Sequence, residues 1–224
     1  AFTATFTFSE DVTGFDISDI TLSNANASAF NSTNAKVYTA LITPVAEGNV
    51  TIDIAANVAQ DGATNGNTAA TQFVGLYDVT SPTVTITSTV ANPTNAAFTA
   101  TFTFSEDVTG FDINDITLGN ATASNFASTS NSVYTALITP TTDGSVTVDV
   151  AANAAQDAAT NGNTAATQFT VMYDATRPTV VVSSTVSNPT NSAFDVTITF
   201  SENVTGFDVS DIDTRLSNLE NLLK

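Results

Sequence analysis

The sequence predicts an all-β chain built as a tandem array of antiparallel β-sandwiches. Three observations carry that expectation: a repeat with a period of 96 residues, apolar residues at every second position within it, and turn signals between the alternating runs.

The repeat is the first of these. Phe2-Thr-Ala-Thr-Phe-Thr-Phe-Ser-Glu10 recurs as Phe98-Thr-Ala-Thr-Phe-Thr-Phe-Ser-Glu106 and, in varied form, as Phe194-Asp-Val-Thr-Ile-Thr-Phe-Ser-Glu202, each copy 96 positions after the last. Gly14, Gly110 and Gly206 keep the period, as do Tyr38 with Tyr134, Asp61 with Asp157, Asp78 with Asp174, and Pro82 with Pro178. Solenoid units run to roughly 20 to 50 residues, so a spacing this long fits one compact domain per copy. The chain therefore divides into a repeat lacking its first strand (1–78), a complete repeat (79–174), a partial third repeat (175–212) and a tail (213–224).

Within the complete repeat the strands follow in order. Val84-Thr-Ile86 is short and alternating. In Phe98 to Phe104 the residues Phe98, Ala100, Phe102 and Phe104 share one face and three Thr the other, as a half-buried antiparallel strand requires. Short strands are expected around Ile116 to Leu118 and Ser124 to Ala127, then over Val133 to Thr139, Val146 to Val150 and Phe169 to Tyr173. Asn92-Pro-Thr-Asn95 and Asp143-Gly144 supply turn chemistry. Seven short strands in roughly 100 residues is the immunoglobulin-like sandwich pattern. Phe98, Phe102, Phe104, Tyr134, Val148 and Phe169 are its expected core. Asp16, Asp19, Asp112 and Asp115, in an FD-x-x-D pattern, are expected to serve local backbone turns.

Composition removes several function classes. With 22 Asp and Glu against only Lys36, Arg177, Arg215 and Lys224, the chain carries a formal net charge of -18. Such a surface repels phosphate backbones and anionic headgroups, so neither nucleic acid nor a membrane surface is an expected partner. No apolar run reaches the roughly 18 residues of a membrane span. The N-terminus has no basic region preceding an apolar one, so the segment is expected to begin inside a larger protein. There is no Cys and no His, which removes disulfides, the strongest nucleophile and the usual general base. A paired-carboxylate hydrolase stays chemically conceivable, but every candidate acid recurs with the repeat. The chain is expected not to be an enzyme.

Three runs, Phe104-Ser-Glu-Asp-Val-Thr-Gly-Phe111, Ala154-Ala-Gln-Asp-Ala-Ala-Thr-Asn-Gly-Asn163 and Tyr77-Asp-Val-Thr-Ser-Pro-Thr-Val84, resemble the repeats of bacterial immunoglobulin-like domains found in large cell-surface adhesins. The resemblance covers residues 1 to about 212. It implies an extracellular, cell-surface stalk or filament of sandwiches holding a distal binding head, with neighbouring repeats of the same chain as partners. It also implies calcium at the domain junctions. Ala158 stands where the first repeat has Gly62, so loop geometry is expected to differ between copies.

The carboxylates support calcium from a second direction. In an immunoglobulin-like topology the loop after the second strand and the loop before the last meet at the pole where the preceding linker arrives. Glu106 and Asp107 lie on the first, Asp157 on the second and Asp78 on the linker, so four acids are expected to converge there. A hard, oxygen-binding cation is the natural counter-charge. Asp174 and Glu202 repeat the pattern at the next junction, where Asn203 replaces the second acid and a weaker site is expected. Glu10 and Asp61 are expected to form the corresponding site with a linker Asp that lies before residue 1. The alternative is that all eight are solvated loop acids.

After Asp211 the repeat breaks. Val209, Ile212, Leu216, Leu219 and Leu223 follow heptad spacing, which predicts a short helix. It reads as a self-associating coiled coil, as a helix packed on its own domain, or as an appended foreign segment. The missing first strand of the first repeat is read as an arbitrary boundary rather than as an invitation to strand donation, because head-to-tail joining would duplicate the second and third strands. Two function classes remain: a structural stalk module, and a carbohydrate- or protein-binding adhesion module. The close agreement of the copies and the absence of Trp favour the stalk.

Overall fold

Alternation of Phe, Val and Ile with Thr gives each strand one apolar face, and two such faces close on one another in every complete repeat. The computed structural model describes residues 1–212; the heptad helix expected over 213–224 lies outside the described residues. In the first repeat the strands are β1 (Phe2–Thr7), β2 (Ile20–Ser23), β3 (Ala25–Asn34), β4 (Val37–Pro44), β5 (Gly48–Ile54) and β6 (Phe73–Tyr77). The second has β7 (Val84–Thr87), β8 (Phe98–Phe104), β9 (Ile116–Gly119), β10 (Ala121–Ser130), β11 (Val133–Pro140), β12 (Gly144–Val150) and β13 (Phe169–Tyr173). The third contributes the pair β14 (Val180–Ser183) and β15 (Thr197–Phe200).

The second repeat shows the complete plan. One sheet has the order β10-β11-β8-β7 and the other β13-β12-β9, with antiparallel pairing throughout. This is the four-plus-three strand arrangement of an immunoglobulin-type sandwich. All seven expected strands are present. The fourth runs well beyond Ser124–Ala127, because Asn125, in the left-handed region at φ 50, forms a bulge that lets the strand continue against β11.

Between the sheets Phe102, Ala136, Ile138, Val146 and Val148 are fully buried. Phe98, Phe104 and Tyr134 join them, whereas Phe169 is half-buried because β13 is the outer strand of its three-stranded sheet. Phe111 packs edge-on against Phe104, Phe126 and Tyr134, which anchors the loop after β8 in the core. Gly110 ends that loop's Val-Thr-Gly turn at φ +90, a conformation a side chain resists. Beyond it the FD-x-x-D acids do what local turn chemistry predicts: Asp112 accepts from the Asn114 N–H at 2.6 Å while Asp115 accepts from the Asp112 N–H at 2.8 Å, a reciprocal capping box on a single 3-10 turn.

The first repeat reproduces this plan without a counterpart of β7. Its sheets are β1-β4-β3 and β2-β5-β6.

Candidate metal centre at the repeat junction

The tail of β6, Asp78 to Pro82, leads directly into β7 and is fastened to two loops of the second repeat. Pro82 is fully buried, and its carbonyl accepts from the Thr164 N–H at 2.9 Å. Thr83 exchanges bonds with Ser105, its carbonyl accepting from the Ser105 N–H at 2.9 Å and its N–H donating to the Ser105 hydroxyl at 3.0 Å. The two loops are tied to each other by a small bridge between Thr109 and Gln156, with N–H to carbonyl distances of 2.7 and 3.0 Å. Linker, β8–β9 loop and β12–β13 loop are thus pinned together at one pole.

The β12–β13 loop is itself rigidly organised. Asn163, buried, accepts from the Ala155 N–H at 2.7 Å and donates to the carbonyls of Ala151 and Thr164 at 2.9 and 2.8 Å. Gly162 lies so close to Asn153 that an added Cβ would fall 2.1 Å from its side-chain oxygen, so any larger residue there must displace the Asn153 side chain. Asp157 then receives the Asn161 backbone N–H at 2.8 Å and the Asn161 side-chain amide at 2.8 Å.

These constraints bring Asp78, Glu106 and Asp157 together: each offers a carboxylate oxygen, and the three lie within 4.8 Å of one another. Asp78 and Glu106 are half-buried, and Asp157 is only 4% exposed. Burial pushes Glu106 above its ordinary value of 4.5, and the charges of Asp157, Asp78 and Glu47 push it further in the same direction. Burial also pushes Asp157 up, but the hydrogen bonds from Asn161, Ala159 and Thr160 outweigh it and hold the carboxyl below 3.8. The site therefore contains one well-solvated anion by hydrogen bonding and one carboxylate that resists ionisation.

Asp107 stands outside the trio. It follows Glu106 directly and is exposed to solvent; its charge, after burial, is what raises the Tyr134 phenol. Glu47, absent from the expected set, lies near enough to act on Glu106, and it accepts a hydrogen bond from the linker hydroxyl of Thr80. The signal was available at the repeat period: Asp143 occupies the same position at the next junction and accepts from Thr176.

At that next junction Asp174 is half-buried and accepts from the Thr176 N–H at 3.0 Å, as Asp78 does from Thr80 at 3.0 Å. Glu202 is exposed, and no third carboxylate joins the pair among the described residues. In the first repeat Asp61 keeps the loop bonds of Asp157, accepting from Asn65 twice at 2.8 Å, and these bonds lower it below 3.8. Glu10 is exposed. The expected difference between the Gly62 and Ala158 loops is absent: Gly62 has no positive φ, a Cβ there would meet nothing within 4 Å, and both loops carry the same Asp–Asn bonds.

A common ion is sterically allowed at Asp78, Glu106 and Asp157. Oxygens bound to one calcium at about 2.3 to 2.6 Å can stand no more than about 5 Å apart, and the trio falls inside that limit. Among the described residues no Lys or Arg side chain hydrogen-bonds to any of the three; Lys36 donates instead to the Ser9 carbonyl at 3.3 Å. Nor is any helix among them long and apolar enough to cross a membrane.

Comparison with known proteins places this architecture. The profile described as "Bacterial Ig-like domain" matches residues 1–75, 78–173 and 174–224, three consecutive copies. A search of curated proteins finds no match. With the profile covering nearly all of its length in three tandem segments, this chain belongs to the bacterial Ig-like domain family.

Proposed function

We propose that the chain is a structural segment of an extracellular bacterial adhesin stalk, an extended array of sandwiches that calcium stiffens at the junctions between repeats. The observation that carries this reading is the convergence of Asp78, Glu106 and Asp157 from linker and two loops at the point where one repeat is joined to the next. A cation there ties the linker to both loops at once, so its binding restricts bending between repeats. The half-buried, mutually repelling carboxylates give it a driving force, and among the described residues no Lys or Arg side chain hydrogen-bonds to any of the three. Membership of the bacterial Ig-like family and the near identity of the copies support a repeated spacer. No reaction is assigned to it.

In this proposal Asp78, Glu106 and Asp157 are the protein ligands, with backbone carbonyls and water completing the shell of six to eight oxygens calcium takes. Extracellular sites bind calcium with dissociation constants of about 0.1 to 1 mM, and at 1 mM ion the tighter limit stabilises the folded junction by about 1.4 kcal/mol. Calorimetric titration of the chain with calcium tests the reading. Saturable binding that is lost in Asp78→Asn with Glu106→Gln supports it, and equal heats from parent and double variant refute it.

A further inference from the structure

The β12–β13 loop carries an Asn-Gly step, Asn161-Gly162, whose two reacting groups the fold treats in opposite ways. Gly162 faces Gln156 across a small antiparallel bridge whose hydrogen bonds belong to the flanking residues. The Asn161 carbonyl accepts from the Asp157 N–H at 3.1 Å, and the Asn163 N–H donates to the Ala155 carbonyl at 3.0 Å. The Gly162 N–H is thereby turned away from the bridge, and it donates to no acceptor among the described residues. Having no Cβ, Gly162 also offers its nitrogen without the hindrance that a side chain brings.

The Asn161 amide, by contrast, is held. Its Nδ2, the atom that has to leave if Gly162 attacks, donates to the Asp157 carboxylate at 2.8 Å and to the Asp78 carbonyl at 3.3 Å. Asp78 belongs to the linker, which is seated by the bonds of Pro82 and Thr83 and, from the preceding repeat, by the bond from the Thr80 hydroxyl to Glu47. We infer that Asn161 is a site of spontaneous deamidation whose rate is set by the seating of the linker: the closed junction withholds the amide, and local opening releases it. The Gly162 nitrogen bonds to the Asn161 Cγ, the Cγ–Nδ2 bond breaks, and ammonia leaves carrying the Gly162 amide proton, which gives a cyclic succinimide. One water then opens the ring at either carbonyl and leaves an aspartyl or an isoaspartyl linkage. Water is the only co-reactant.

The change runs one way and is local. It puts a carboxylate in place of a donor beside Asp157, and it gives up the bond to the Asp78 carbonyl. A junction that has stayed open long enough to react is left with a fourth acid against Asp78, Glu106 and Asp157, so it closes less readily than before. The linker bonds carry this inference; only the calcium arm of its test rests on the junction-ion reading.

The test is peptide mapping by mass spectrometry of the full chain, aged in mildly alkaline buffer with chelator, the Asn161 peptide being scored for amide-to-acid conversion and for isoaspartate. The parent is expected to convert several-fold more slowly when folded than in urea, a comparison that needs no variant. Thr80→Val with Ser105→Ala loosens the linker without touching Asn161 or Gly162. It is expected to speed conversion several-fold, while conversion at Asn65-Gly66 in the first repeat stays unchanged. Asn161→Asp, which carries the product side chain from the start, is expected to show faster hydrogen exchange at the Thr80 and Thr83 amides than the parent. Equal rates for the parent folded and in urea, or a folded rate that ignores the loosened linker, overturn the inference. Calcium at about 1 mM should slow conversion of the parent by a further factor of about ten, the factor by which a site with a dissociation constant of about 0.1 mM multiplies the closed population. Conversion that responds to the loosened linker but is equal in calcium and chelator upholds the linker gate and counts against the junction ion alone.

Discussion

Asn161 and Asp78, 83 residues apart in the chain, meet through one amide nitrogen: Asn161 Nδ2 donates to the Asp78 carbonyl at 3.3 Å and to the Asp157 carboxylate at 2.8 Å. One side chain thus joins the linker to the loop that supplies the most buried acid of the site. Asn65 makes the same bond to Asp61 in the first repeat.

Asn161→Ala is accordingly expected to do more than Asn65→Ala. Both remove a side-chain hydrogen bond to a carboxylate that the bond helps to hold ionised. Only Asn161→Ala also frees the linker. Hydrogen exchange at the Thr80 and Thr83 amides should accelerate in Asn161→Ala and stay unchanged in Asn65→Ala; equal behaviour of the two would detach Asn161 from the junction.

Glu106→Gln separates charge repulsion from ion binding. In chelator the variant is expected to melt at a higher temperature than the parent, because it removes the carboxylate that burial and three neighbouring acids resist. In calcium the order should reverse, since the variant gains nothing from the ion. Thermal melts in the two buffers check both signs.

The pH dependence of the ion-free chain has two limbs. Glu106 is raised above 4.5, so the folded chain holds its proton more tightly than the unfolded one, and stability rises as pH falls toward 4.5. Asp157 and Asp61 are lowered below 3.8, so the stability they contribute is present above that value and is lost as pH falls through their depressed range. The melting temperature in chelator should therefore pass through a maximum on acidification. In Glu106→Gln the rising limb should disappear and the falling limb remain.

Two glycine substitutions test the loop geometry. Gly162→Ala forces a Cβ against Asn153 and is expected to destabilise the second repeat by about 2 kcal/mol or more. Gly62→Ala meets nothing, and Ala already stands at 158, so its effect should stay within about 0.5 kcal/mol. Urea unfolding of each variant provides the comparison.

Much of this molecule was legible in its sequence because alternation and period are strong local signals. Phe98 to Phe104 declares its buried face directly, and the 96-residue spacing locates the equivalent strand in each copy. The length of β10 was not legible, since its continuation depends on a bulge at Asn125 that nothing in the Ala-Ser-Asn stretch announces. At the junction, Asp78, Glu106 and Asp157 could be grouped from topology alone. Which of the adjacent acids Glu106 and Asp107 turns inward could not, because that choice is made by the loop's packing around Phe111 and Val108. Glu47 was less legible, because it reaches the site through a hydrogen bond to Thr80 rather than from a loop at the same pole.

The most direct test of calcium as the stiffening agent is small-angle scattering of the chain in calcium and in chelator, on the parent and on Asp78→Asn with Glu106→Gln. The distribution of interatomic distances should be longer and narrower for the parent in calcium, and the double variant should resemble the parent in chelator under both conditions. An unchanged distribution for the parent on removing calcium would contradict the account and leave the junction acids as solvated surface charge.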